Sequence, residues 1–188
     1  MENAVSYIPP GGFWLLARSK VKYHGAYPSG FLDRGRLFLG IHIDDPLLHV
    51  CGGKVRNYPW ANCIGPNDKT VDLDLRLEPD YLMDVRFELP KQPDGSLWPS
   101  ALVDAPYSEL DAEHYACGRE AYPQPNPLLK ITLEHVRPGG RVGFLHPKWP
   151  RPPAEVHGCR IKEVWAGATS TGRDSIARHY VVFEKIKP

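Results

Sequence analysis

Asp104-Ala105-Pro106-Tyr107 brings together what is needed to hold a planar exocyclic amine: a carboxylate to accept an N–H, carbonyls that a proline keeps out of a strand ladder, and an aromatic face. Upstream, the apolar run Leu47-Leu48-His49-Val50 passes into Cys51-Gly52-Gly53, and a further run ends in acids at Asp72 and Asp74, with Asp84 beyond. Glycine after a strand lets the backbone approach a ligand with no Cβ in the way. A carboxylate at the end of the following strand is placed to accept both hydroxyls of a ribose. Asp72 is the first candidate and Asp74, on the same strand face, the second. Taken singly, each acid reads as a solvated strand end; three in register with a glycine turn read as a site. The order predicts a nucleotide-type cofactor at the carboxyl edge of a parallel sheet, with an amine substrate beside it.

The elements that must position these residues follow from periodicity and punctuation. Ser29 is placed to cap a helix carrying Phe31, Leu32, Phe38 and Leu39 and ending at Gly40. Strands are expected at Leu47 to Cys51, Thr70 to Asp74, Tyr81 to Met83 and Leu97 to Val103. Between the first two lie Tyr58-Pro59-Trp60 and Gly65-Pro66, so the crossover helix of a normal βαβ unit is abbreviated. Ser108 and Asp111 form a capping-box-like start to a short helix ending near Gly118. Asn126 and Pro127 read as N-cap and first turn of a helix bearing Leu128, Leu129, Leu133 and Val136, stopped by Pro138-Gly139-Gly140 ahead of a strand from Arg141 to Leu145. Arg160 to Ala166 and His179 to Ile186 read as a closing hairpin.

In this setting the chain resembles the class I methyltransferases that use S-adenosylmethionine, and among them the amino-group (adenine N6) methylases of DNA. The resemblance runs from about His24 onward. It is carried by Asp104-Ala105-Pro106-Tyr107, similar to the family's Asp-Pro-Pro-Tyr, and by Leu133-Glu134-His135-Val136-Arg137-Pro138-Gly139-Gly140-Arg141-Val142, similar to its helix, Pro-Gly-Gly turn and fifth strand. Val71-Asp72-Leu73 and Asp84-Val85-Arg86-Phe87-Glu88-Leu89-Pro90 look like the second and third cofactor motifs, and His24-Gly25-Ala26-Tyr27-Pro28 echoes the segment that touches the cofactor's methionine part.

The resemblance implies one Rossmann-like α/β domain over residues 1–188, its segment 1–28 holding the motif of Tyr27 and Pro28. S-adenosylmethionine would lie against Cys51, Gly52, Gly53, Asp72 and Asp74, with Asp84 on the adenine amino group. Hydrogen bonds from the substrate amine to Asp104 and to the carbonyl of Ala105 would free the nitrogen lone pair for the sulfonium methyl, and Tyr107 would stack on a base drawn out of its duplex. Two departures stand out: Ala105 replaces the first proline, and Val50-Cys51-Gly52-Gly53-Lys54 keeps a single close-approach glycine, with cysteine where an aromatic often sits. They favour a competing reading, a noncatalytic cofactor-binding or interaction protein on the same fold, which Asp104, Pro106 and Tyr107 oppose.

Composition bounds the partners. Lys and Arg total 23 against 22 acids, a formal charge of +1, so nucleic acid would be held locally or with the help of a protein partner. Four unpaired-looking cysteines and the lack of a secretory segment point to a reduced, cytoplasmic setting, and no apolar run approaches membrane-spanning length. Two elaborate catalytic alternatives are excluded by motif: there is no Gly-Lys-Ser/Thr phosphate loop and no Gly-x-Ser-x-Gly elbow. His157 and Cys159 lack the second spaced pair that a zinc site needs. His146, Trp149 and Arg151 are placed to line a substrate mouth, although a tryptophan among prolines reads better as a hydrophobic plug.

Overall fold

Apolar residues that alternate along each central strand divide between two helical layers, and this fixes the architecture. The computed structural model describes residues 12–17, 26–57, 64–115, 117–170 and 177–187. Its strands are β1 (Phe13–Leu15), β2 (Leu47–Val50), β3 (Lys69–Asp72), β4 (Tyr81–Leu82), β5 (Trp98–Val103), β6 (Val136–His146), β7 (Glu155–Val156), β8 (Cys159–Ser170) and β9 (Arg178–Lys185). The helices are α1 (Phe31–Leu39), α2 (Glu109–His114) and α3 (Pro125–Glu134). The sheet order is β1-β8-β9-β6-β5-β2-β3-β4, with β7 paired to β8.

From β4 through β6 all neighbours run parallel, whereas β9 is antiparallel to both β6 and β8. This is the mostly parallel sheet with a terminal antiparallel pair that the sequence predicts. Leu48, Val50, Ala101, Val103, Val142, Phe144, Val181 and Phe183 pack with Leu128, Leu129 and Leu133 of α3 on one face. Their strand neighbours Leu47, Leu102, Leu145, Tyr180 and Val182 pack with Phe31, Leu32 and Leu39 of α1 on the other. Two-sided burial is the condition for a parallel sheet in water.

Several boundaries differ from expectation, each for a local reason. Ser29 does not cap α1: its N–H is bridged to the carbonyl of Ala17, and Gly30, at φ 79, takes the N-cap position. β2 stops at Val50 because Cys51 turns into the left-handed region at φ 56. The third ends at Asp72, and Asp74 instead caps a 3-10 turn, Leu75–Leu77, by accepting from the Arg76 N–H. The short helix after Ser108 ends at His114 rather than near Gly118, while its predicted cap is present, Ser108 Oγ accepting from Asp111 N at 3.1 Å.

α3 begins at Pro125, not Pro127, since both prolines fall in a first turn where a missing N–H costs nothing. Pro138-Gly139-Gly140 does not separate helix from strand but lies within β6. There the register to β5 shifts between Trp98 and Ser100, and a Cβ on Gly140 would come within 2.5 Å of the Pro99 carbonyl oxygen. The motif therefore makes a bulge. Between β2 and β3 a 3-10 turn, Val55–Asn57, is the helical element among the described residues; Tyr58 to Cys63 lie outside them, as do His24 and Gly25. Nothing in the predicted strand pattern anticipates β1 or β7.

Candidate cofactor and catalytic site

Hydrogen bonds at the carboxyl ends of the parallel strands gather the predicted residues onto one edge. Cys51 N donates to the Val71 carbonyl at 2.9 Å, Asp104 N to that of Val50 at 3.2 Å, and Met83 N to that of Asp72 at 3.1 Å. A cleft enclosing about 700 Å³ of empty space, part of it open to solvent, lies along this edge. Its wall includes Tyr27, Cys51, Gly52, Gly53, Asp72, Asp74, Asp84, Asp104 and Pro106. Pro28, Ala105 and Tyr107 lie outside it, Pro28 accepting from Phe31 N through its carbonyl, Ala105 packing in the core at 3 % exposure and Tyr107 half-buried behind Asp104.

The glycine turn is held from below and from the side. A Cβ on Gly52 would approach His49 Cβ to 2.9 Å and Thr70 Cγ2 to 3.2 Å, so only glycine lets the turn sit this close to β2 and β3. The left-handed positions are Cys51 and Gly53, at φ 56 and 53. Asp72 fastens the turn: Oδ2 accepts from Gly53 N and Oδ1 from Asp74 N, both at 3.1 Å. Each carboxylate oxygen retains a second lone pair for a hydroxyl donor. Burial raises the Asp72 carboxyl, against the backbone donors that lower it.

The other two acids are held by their own arginines. Asp74 pairs with Arg76 at 2.6 Å at the exposed rim, and Asp84 accepts from Arg86 Nε at 2.9 Å and from Arg86 N at 3.1 Å. These hydrogen bonds are the leading reason that both carboxyls lie below the usual range. Burial, with Asp72 and Asp104 nearby, pushes the Cys51 thiol well up, so it is a neutral wall of the cleft rather than a nucleophile. Tyr27 is buried and stacks on Phe31 with ring centroids 5.3 Å apart.

At the far end of the cleft Asp104 is bound differently. Tyr107 Oη donates to Asp104 Oδ1 at 2.9 Å, and Arg178 Nη1 donates to Tyr107 Oη at 2.9 Å. The Arg178 guanidinium also lies 5.8 Å over the Tyr107 ring, and His146 meets that ring edge-on at 5.4 Å. Burial, opposed by the Arg178 charge and the Tyr107 hydroxyl, pushes the Asp104 carboxyl up to about 6. His146 is buried, which brings its imidazole down to about 4 and leaves it neutral at neutral pH.

Sequence reasoning missed Arg178, and with it the fact that the Tyr107 hydroxyl is already engaged. The signal available was direction: a final strand antiparallel to the parallel set must start at their carboxyl edge, where Arg178 opens β9. Tyr115 and Cys117, which follow α2 and close one side of the cleft, were also missed. Trp149 is not a plug: it is 46 % exposed, its indole N–H donating to Glu163 at 3.2 Å. With Lys148 and Arg151 it lines a second, shallower groove beyond β6. Among the described residues no cluster of His, Cys, Asp or Glu could hold a metal ion, and no helix is long and apolar enough to cross a membrane.

No protein-family model matches the sequence, and no curated protein does. Solved structures do. TrmN from Thermus thermophilus is 17% identical with a TM-score of 0.54, over 82% of this chain and 48% of that one. A candidate hemolysin from Streptococcus thermophilus is 12% identical with a TM-score of 0.55, over 89% of this chain and 69% of that one. A second candidate hemolysin, from Lactococcus lactis, is 10% identical with a TM-score of 0.51, over 82% and 85%. The chain thus spans about half the length of TrmN. At these identities the likeness is one of fold, and with the strand order it makes this a Rossmann-like α/β fold, a mostly parallel sheet with a terminal antiparallel pair.

Proposed function

We propose that this chain is an S-adenosylmethionine-dependent methyltransferase that acts on an exocyclic amino group, with adenine N6 in DNA as the substrate. The observation that carries the reading is that Asp104 opens onto the same cleft as the Gly52-Gly53 turn and Asp72, with one oxygen engaged by Tyr107. A nucleoside-bearing cofactor fits the backbone of a Cβ-free turn and Asp72 for ribose hydroxyls, whereas both oxygens of Asp84, the expected partner of an adenine amine, are taken up by Arg86. When bound, S-adenosylmethionine supplies an electrophilic methyl on a sulfonium sulfur.

The chain's own residues do the rest. Asp104 accepts an N–H of the amine, which favours a pyramidal nitrogen with its lone pair free, and it takes the surplus proton once the nitrogen is methylated. A carboxyl near 6 is ionised at neutral pH yet basic enough for that task. Ala105, lacking the ring of a proline, is restrained by packing in the core. Tyr107, next to Asp104, would supply the aromatic ring against a flipped base. Lys148, Trp149 and Arg151 supply charge and a stacking surface for the flanking strand.

Calorimetry with S-adenosylmethionine and its demethylated product, and methyl incorporation from labelled cofactor into DNA, RNA and free nucleosides, test this reading. Binding with incorporation into adenine-containing DNA is expected. Binding with no incorporation into any of the three would instead leave the noncatalytic reading standing, and no heat at millimolar ligand would remove the cofactor.

A further inference from the structure

Methyl transfer to an amine needs an acceptor that is aimed and ionised, and nothing in Asp104-Ala105-Pro106-Tyr107 itself supplies a positive charge. The charge comes from the opposite end of the sequence, on the strand that runs against the others. Resting on the methyltransferase reading, we propose that Arg178 is a positioning residue for this site: through the Tyr107 hydroxyl it fixes Asp104 Oδ1, turns Oδ2 to the cleft for the substrate amine, and keeps the carboxylate charged.

The geometry is a relay of two hydrogen bonds. Arg178 Nη1 donates to Tyr107 Oη, and Tyr107 Oη donates to Asp104 Oδ1, each at 2.9 Å. Because Arg178 already fills an acceptor site on the phenol oxygen, the phenol proton has one strong direction left, toward Asp104. A phenol polarised by a cation is a better donor than a free one. Rotation of Tyr107 is further limited by the guanidinium over its ring, His146 at its edge, and the Tyr122 hydroxyl, which donates to the Tyr107 carbonyl at 3.2 Å. Asp104 thus points where β9 puts it, and Ala105 in place of a proline matters less to its aim.

The groups that set the Asp104 charge can be named element by element. Cys51 after β2 is a neutral thiol, and His146 at the end of β6 is a neutral imidazole behind Tyr107. Asp72 at the end of β3 lies on the other side of Cys51 and acts on that thiol. Arg178 on β9 is the cation that opposes burial. In the proposed reaction the nitrogen lone pair forms the N–C bond and the C–S pair leaves with sulfur. The surplus N–H proton passes to Oδ2 and from the neutral acid to water.

The relay is tested by following the Asp104 carboxyl through a pH titration by carbon NMR in aspartate-labelled full chain, in wild type, Arg178→Gln, Arg178→Lys and Tyr107→Phe. Wild type is expected to titrate near 6. Arg178→Gln should raise the midpoint by about one pH unit or more, a tenfold loss of the ionised form at a fixed pH below it, as expected for losing a nearby cation. Arg178→Lys should fall between the two, and Tyr107→Phe should move the midpoint upward as well. Where transfer is measurable, the acid limb of kcat should move with the midpoint while the KM for cofactor stays within a few fold. A midpoint unchanged in both Arg178 variants overturns the proposal, and the lysine variant keeps it decidable where the glutamine variant does not fold. A shifted midpoint in a chain with no methyl transfer would uphold the relay and overturn the methyltransferase reading, so the two fail separately.

Discussion

Two buried or half-buried carboxylates, each served by an arginine, have opposite acidities. Asp68, ahead of β3, is 1 % exposed and receives Arg36 of α1, His49 Nε2 at 3.1 Å and Gly65 N at 2.9 Å. Burial alone would raise it, yet His49 and Arg36 hold it below the usual range. Asp104 receives one hydroxyl, with its arginine one bond further away, and is raised to about 6. A carboxylate saturated by direct donors is an inert strut that ties α1 to the sheet. One served at second hand keeps an oxygen and a usable proton affinity for something else. The two regions share a wall, because the Cβ of His49 supports Gly52 while its ring serves Asp68.

The largest way to break this contrast is Asp68→Asn, which removes the negative charge that buried Arg36 faces. Unfolding by urea should show a loss of about 3–5 kcal/mol. Gly52→Ala attacks the shared wall: its methyl must displace His49 or Thr70, and a loss of about 1–3 kcal/mol is expected together with weaker cofactor binding by calorimetry. Asp104→Asn should behave in the opposite sense to Asp68→Asn, leaving stability at pH 7 unchanged or raised by up to about 2 kcal/mol while lowering methyl transfer about 10²-fold or more.

The pH dependence separates the same pair. Asp68 is depressed in the fold, so its contribution is present above the unfolded value of about 3.9 and is lost as pH falls through the lower folded value. Asp104 is raised, so its contribution is full below about 4 and declines as pH rises toward 6. Urea midpoints between pH 3 and 7 should lose the first slope in Asp68→Asn and the second in Asp104→Asn. The smallest effect is expected at the rim, where Arg76→Ala should change stability by under about 1 kcal/mol and return the Asp74 carboxyl toward its ordinary range in an NMR titration.

What could be read from the sequence was what is local. Alternation along Leu47 to Val50 and Trp98 to Val103, the Ser108 cap and the acids after β3 are written in neighbouring residues, and the strand ends they mark fall on one edge of the sheet. The misplaced boundaries are those where a distant backbone decides: Pro138-Gly139-Gly140 looks like a helix stop until β5 is laid beside it, and Asn126 looks like a cap until its side chain is seen accepting from Arg151 N at 2.8 Å. Arg178 and Asp68 were invisible for the same reason. Each acts on residues far away in the chain, Arg178 on Tyr107 across 71 positions and Asp68 on Arg36 across 32, and no short motif records such a meeting.

The place of β9 between β6 and β8 has a consequence for the order of events during synthesis. Chain emerging from the amino end supplies β2 to β6 first, and β8 next, but β8, which pairs with β1 and β7, is not joined to β6 until Arg178 to Lys185 has been made and slotted between them. Until then the side of β6 from Arg141 to His146 stands as an open edge of the kind that recruits other chains. The strand that closes this edge is the one that carries Arg178. The pairing that covers this edge is therefore the one that brings Arg178 to the Tyr107 hydroxyl beside Asp104.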